Sequence, residues 1–295
     1  MSNLTDPRKK YPVISPPEQE QKHPGLEIKA DPVPDLGMDD YTGSGKLEGR
    51  KALITGGDSG IGAATAIAYA REGADVAIAY LPEEQPDADR IIKAIEDAGR
   101  KAVAIPGDLC DLQTCIDTVT KAVEELGGLD ILVNNASRQI YHEGILEITD
   151  EDFDATMKSN IYSSFRVTKE AVKHMPPGSS IIFTSSIQAY DPSETLLDYA
   201  MTKAAMNNFS KGLSMDLLPS KGIRVNAVAP GPIWTVIQPS HGQPSEKVQK
   251  FGQGSEIGRA GQPAELAGAY VYLASEDASY VSGTTLPVTG GALTP

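Results

Sequence analysis

Tyr199 and Lys203 stand four positions apart in the run Tyr199-Ala200-Met201-Thr202-Lys203. On a helix this spacing puts both side chains on one face. A free phenol has a pKa of about 10 and is a poor base at neutral pH. A neighbouring ammonium favours the phenolate and lowers that value. The pair can then pass a proton to or from a substrate oxygen. A tyrosine lying on a lysine stem is also an ordinary surface pair, so position carries the weight. This pair opens a helix soon after a strand ending in Ser185-Ser186. In open α/β sheets, ligands bind at the carboxyl ends of the strands.

A second constellation points to the same edge. Residues Thr55–Gly62 read TGGDSGIG, between an apolar strand and a helix. A cofactor pyrophosphate must approach such a backbone closely and rest on the helix N-terminus. A side chain at Gly56, Gly60 or Gly62 would block the turn, the phosphate or the helix-strand packing. Asp58, Ser59 and Ile61 complete the loop. After the second strand, where a carboxylate usually selects NAD through the ribose hydroxyls, stands Tyr80, followed by Glu83 and Glu84. No Lys or Arg is nearby for the 2′-phosphate of NADP, and Asp58 would repel it. The loop therefore predicts NAD or NADP, leaning to NAD.

These groups need elements to hold them, and the hydrophobic pattern supplies an alternation. Strands are predicted at 51–55, 75–81, 101–109, 129–136, 179–186, 222–230 and 284–291. Helices are predicted at 63–71, 87–98, 112–126, 150–173 (with a break), 199–219 and 263–274. Such alternation implies βαβ units and a doubly wound parallel sheet of about seven strands, of Rossmann type, in one α/β domain over residues 50–295. The stretch 234–259, rich in Gly, Pro, Gln and Ser, is predicted to be a mobile substrate lid. Residues 1–49 carry seven of the 21 prolines. They form a Pro-rich arm, either disordered or laid across the surface; contact with a neighbouring subunit is one role it could serve.

Bulk properties exclude several classes. A formal net charge of -14 disfavours nucleic acid and anionic membrane as partners. No apolar run reaches the roughly 20 residues that span a bilayer, and the N-terminus lacks a signal-peptide core, so a cytoplasmic location is expected. Cys110 and Cys115 have no further cysteine to complete a zinc set; two reduced thiols are expected, and no metal. His142 and His241 have no partners of metal-binding type.

Taken together, these residues resemble the short-chain dehydrogenase/reductase family. TGGDSGIG resembles its cofactor loop, the Gly-Asp-Leu containing Asp108 and Leu109 its adenine-contacting segment, and Asn134-Asn135-Ala136-Ser137 its Asn-Asn-Ala-Gly stretch, with Asn134 and Ala136 beside the cofactor. Asn160 matches the helix asparagine. Ser186 lies thirteen residues before Tyr199, the family's separation. Pro230-Gly231 matches the stretch after the sixth strand, with Ile233 and Thr235 near the nicotinamide amide. Ser137 departs from the usual glycine and Thr289 from a common aspartate. The arm and overall texture resemble the YghA-like, stress-associated bacterial oxidoreductases. The resemblance implies hydride transfer between nicotinamide C4 and a carbonyl or alcohol substrate: an aldehyde, ketone, sugar or polyol. It makes Tyr199 the general acid/base and has Lys203 lower its pKa and hold the ribose. Ser186 would donate to the substrate oxygen, and Asn160 would fix a water or backbone geometry in a proton relay. It also implies a homotetramer. Gln188, Asp191, Arg138 and Gln139 favour an oxygen-rich substrate. Two other classes remain: a non-catalytic NAD(P)-binding redox sensor or interaction protein, because a fold does not fix a function, and a structural oligomer that docks through its arm.

Overall fold

The computed structural model describes residues 4–294. Its strands are β1 (Lys51–Thr55), β2 (Asp75–Tyr80), β3 (Ala102–Pro106), β4 (Ile131–Asn134), β5 (Ser180–Thr184), β6 (Arg224–Pro230) and β7 (Thr285–Val288). They pair in parallel in the order β3-β2-β1-β4-β5-β6-β7. The chain reverses its direction of travel across the sheet between β1 and β4, and a crevice opens there at the carboxyl edge. The helices are α1 (Gly60–Arg71), α2 (Gln85–Asp97), α3 (Leu112–Leu126), α4 (Asp150–Met157), α5 (Ser163–Ala171), α6 (Leu197–Lys221), α7 (Ser245–Val248) and α8 (Ala264–Ala274).

Alternate residues of each strand enter different cores. Ile54, Val133 and Ile182 pack with α1, α2 and α8. Leu53, Leu132 and Phe183 pack with α3, α5 and α6 on the opposite face. Both faces are covered, which is why the strands are near-continuous apolar runs. Helix α1 is buried almost all round, and its alanines let neighbours approach closely.

Most predicted boundaries shift by a few residues, and two differences have direct physical reasons. Strand β3 ends at Pro106 rather than residue 109, since proline offers no amide to continue a ladder. The break expected within 150–173 is a π-helical turn, Lys158–Tyr162, between α4 and α5. It carries Asn160 into full burial.

The arm lies along the segment that the sequence assigns to a lid. The Trp234 indole donates to the Pro32 carbonyl at 2.7 Å, Ser240 Oγ to that of Pro24 at 2.9 Å, and Gln253 Nε2 to that of Ile14 at 3.0 Å. Ile14, Trp234, Val248 and Ala260 share a small apolar cluster, with Phe251 against it. Farther along, Glu72 accepts from the Tyr41 hydroxyl at 2.7 Å and the Lys46 amide at 2.9 Å, fastening the arm's end to α1.

Trp234 is the sole tryptophan of the sequence, so its emission reports this docking. Deleting residues 1–34 should shift that emission to the red and lower the unfolding midpoint. The scale is about 2–4 °C for each kcal/mol lost in a domain of this size. An unchanged spectrum and midpoint would show that the arm contributes nothing to the lid's packing.

Candidate active site

A cleft of about 1100 Å³ opens at the carboxyl edge of the sheet. That exceeds the usual small-molecule pocket and suits a long ligand with a second small one beside it. Its floor is built from the turns that leave β1, β2, β4, β5 and β6. Gly56, Asp58, Ser59, Gly60 and Ile61 line it, as do Tyr80, Asp108, Leu109, Ala136, Ser186, Tyr199, Lys203, Pro230, Gly231, Ile233 and Thr235.

The glycine loop has the shape that the sequence demanded. Gly56 and Gly60 have φ of +61° and +51°, the left-handed region that disfavours other residues. A Cβ on Gly62 would stand 1.8 Å from the Gly56 carbonyl oxygen. Gly62 therefore serves the loop's packing and does not itself line the cleft. Among the described residues, the amides of Ile61 and Gly62 have no hydrogen-bond partner, while that of Ala63 already donates to Ser59. Free amides at a helix N-terminus form an anion site.

Asn134 and Asn135 divide their work differently from the sequence expectation. Asn134 turns inward, its Nδ2 donating to Thr168 Oγ1 at 2.9 Å. It is Asn135 that reaches the cleft. Its Nδ2 donates to the Gly56 carbonyl at 2.9 Å, and its Oδ1 accepts from Thr184 Oγ1 at 3.1 Å. This side chain ties the exits of β1, β4 and β5 together. Two adjacent asparagines are indistinguishable in sequence until the strand's facing is known.

Asn160 does not line the cleft either. Its Oδ1 accepts from the Arg138 amide at 2.7 Å, and its Nδ2 donates to the Arg138 carbonyl and to Thr202 Oγ1, each at 3.0 Å. It clamps the loop after β4 to α6, one residue before Lys203. The π-turn points it there, a frequent device at functional sites.

The catalytic candidates converge. The first turns of α6 carry Tyr199 and Lys203, with the ammonium 5.2 Å from the phenol ring centre. Lys203 Nζ donates to the Thr184 carbonyl at 2.8 Å. It is 1% exposed, and no carboxylate pairs with it among the described residues. An ammonium has three donors, so donating capacity remains for ligand hydroxyls. Ser186 accepts from the Gln188 amide at 3.1 Å, leaving its own proton to donate into the cleft.

Burial outweighs the pairing that the sequence analysis invoked. It pushes the Tyr199 phenol up to about 12, against a smaller opposing pull from the Ser186 hydroxyl. Burial likewise lowers the Lys203 ammonium to about 7. As the pocket stands, burial favours the neutral, protonated phenol of Tyr199.

At the far end, the Tyr80 hydroxyl donates to Gln85 Oε1 at 2.8 Å, so it is spent on the protein rather than on a ribose. Asp58, Glu83 and Glu84 line this end. At the substrate end, Arg138 is bound to Asp152 at 2.8 Å, Gln139 to the Gly242 carbonyl at 2.9 Å, and Gln188 to the Ser193 amide at 2.7 Å. Ser137 Oγ and Gln238 Oε1 are buried without partners, and both residues line the cleft. The sequence reading missed Gln238 and gave Ser137 no binding role.

The residues present fit a nicotinamide dinucleotide: free amides on α1, a glycine cradle that a Cβ would fill, and surplus donors on Lys203. Comparisons agree. Residues 56–293 match a family model described as enoyl-(acyl carrier protein) reductase. The uncharacterized oxidoreductase YghA of Escherichia coli (strain K12) is 54% identical over 99% of each chain. The glucose and ribitol dehydrogenase of Daucus carota is 42% identical over 94% of this chain and 97% of that one. A short-chain dehydrogenase from Burkholderia cenocepacia J2315, solved in complex with NADP, superposes with a TM-score of 0.77 at 34% identity, covering 83% of this chain and 98% of that one. The chain belongs to the short-chain dehydrogenase/reductase family, among relatives that include YghA.

Proposed function

We propose that this oxidoreductase transfers hydride between nicotinamide C4 and the carbonyl carbon of a small, oxygen-rich aldehyde or ketone, or runs the reverse reaction from the alcohol of a sugar or polyol. The observation that carries this is the placement of Tyr199, Ser186 and Lys203 in the same cleft as the glycine loop. A bound nicotinamide supplies or accepts the hydride. In reduction, Tyr199 gives its phenolic proton to the substrate oxygen as that oxygen gains charge, and the Ser186 hydroxyl donates a second hydrogen bond to it. Lys203 holds ligand hydroxyls with its remaining donors, and Asn160 acts as a positioning residue through Arg138 and α6. In oxidation, Tyr199 takes the proton back. The buried, unpartnered Ser137 and Gln238 support an oxygen-rich substrate, as does the name of the carrot relative.

The preferred cofactor in this proposal is NAD. Asp58, Glu83 and Glu84 surround the adenosine end, and none of the lining residues from 56 to 84 is a Lys or Arg to balance a 2′-phosphate. The NADP complex of the Burkholderia relative is the competing expectation.

A homotetramer in aqueous solution is part of the same reading. Tyr162 and Phe165 are 43% and 48% exposed and share an apolar hollow with Met206 and Phe209, a face that a second copy would cover. No helix among the described residues is long and apolar enough to cross a membrane.

Three measurements test these statements. Tyr199→Phe should lower turnover by about 10²–10⁴-fold, the usual worth of a general acid, with NADH affinity unchanged; full activity would remove Tyr199 from the chemistry. Fluorescence titration should show NADH binding tighter than NADPH, and Gly62→Ala should abolish both; equal or reversed affinities would overturn the NAD preference. Phe165→Glu should reduce the mass in solution below that of the unmodified chain; an unchanged mass would place the contact elsewhere.

A further inference from the structure

The arm makes one contact that the family resemblance does not explain. Glu27 lies in a single 3-10 turn, Glu27–Lys29, and is 0% exposed. Its Oε1 accepts the Gly60 amide at 2.7 Å, the first amide of α1. Its Oε2 is buried with no partner. The turn is locked in place by α2: Asp87 accepts the Glu27 and Ile28 amides at 2.5 and 3.1 Å. The carboxyl thus takes the first amide of the anion-binding helix end and leaves those of Ile61 and Gly62 open.

We propose that Glu27 is a positioning residue of the cofactor site, holding the α1 amide end in place and tying dinucleotide binding to the charge state of its own carboxyl. The proposal rests on the reading of the cleft as a dinucleotide site. A pyrophosphate on the Ile61 and Gly62 amides would bring negative charge close to this side chain. An ionised Glu27 would oppose it in a site that water does not screen, whereas a neutral carboxyl still accepts from Gly60 through its carbonyl oxygen.

The surroundings disfavour the charged form of this carboxyl. Asp58 on the phosphate loop, Asp87 on α2 and the Glu84 carboxyl nearby are all acidic, and the cation facing them is Arg90 on α2. Burial pushes Glu27 up to about 8, against the pull of the Gly60 amide. Burial likewise raises Asp58, Glu84 and Asp87. The sign follows: binding is favoured while Glu27 is protonated and weakens as pH rises through its unliganded pKa, by up to about tenfold per pH unit for one linked proton.

The test is NADH titration of the full chain and of Glu27→Gln, followed by fluorescence between pH 6.5 and 9.5, with Trp234 emission as the check on folding. Glutamine keeps a carbonyl acceptor for Gly60 and cannot ionise. Asp58, Glu84 and Asp87 remain in both proteins, so the ratio of the two affinities isolates Glu27. The Kd of the unmodified chain relative to Glu27→Gln should be near one at pH 6.5 and rise to about tenfold by pH 9. Glu27→Ala, if it folds, should bind NADH more weakly than Glu27→Gln at pH 7. A Kd ratio that stays flat with pH while the unmodified chain binds NADH overturns the proposal and leaves the cofactor reading standing. Absence of NADH and NADPH binding by the unmodified chain overturns both.

Discussion

Because the seven strands are parallel, their carboxyl ends lie on one edge, and each turn leaving that edge delivers its group to the same cleft. β1 delivers the glycine loop, β4 Asn135, β5 Ser186, and β6 Pro230 and Gly231. α6 then returns from that edge, so Tyr199 and Lys203 in its first turns reach the site while the rest of the helix packs against the sheet. Asn135 joins three of these exits through hydrogen bonds to Gly56 and Thr184 and through its amide to Thr55 Oγ1 at 2.9 Å. The relative placement of loop and catalytic pair follows from strand register, which the covered faces of the sheet hold against slippage.

Removal from water sets the chemistry of that edge. It acts in opposite directions on acids and bases, since only the charged form is penalised. Lys203 is lowered and Tyr199 raised by the same cause. A lysine beside a tyrosine therefore does not by itself create a phenolate here. The phenol gains a driving force to ionise when positive charge enters the pocket, and Lys203 meanwhile offers hydrogen bonds whichever form it takes.

Much of this was legible in the sequence, for reasons that can be stated residue by residue. Residues 112–126 were placed as observed because α3 has a clear amphipathic period and a true cap at each end: Asp111 accepting the Thr114 amide, and Gly127 in the left-handed region. Gly56, Gly60 and Gly62 were legible because steric exclusion at fixed spacing leaves a direct mark. Asn134 and Asn135 were not separable, since facing depends on how β4 pairs with both neighbours. A break somewhere within 150–173 was expected. Its π-helical form was not, because it depends on contacts with Arg138 and Thr202, 22 and 42 residues away. Glu27 lay beyond reach for the same reason: its partner Gly60 is 33 residues on, and nothing in a proline-rich arm marks one glutamate among several.

The arm's importance lies in what it joins. Pro24 is bonded to Ser240 of the 234–259 segment, and Glu27 to the first amide of α1. Two residues, Gly25 and Leu26, separate these anchors, a span of about 10 Å at full extension, and the chain between them is further fixed by Gln21, whose side chain accepts the Leu26 amide at 2.8 Å. A link this short has little slack. The arm therefore bridges Ser240, within 234–259, and the Gly60 amide at the start of α1. The two walls of the cleft, at Gly60 and Ser240, come from residues 180 positions apart in sequence. They are joined by an arm segment whose own His23 and Pro24 line the cleft.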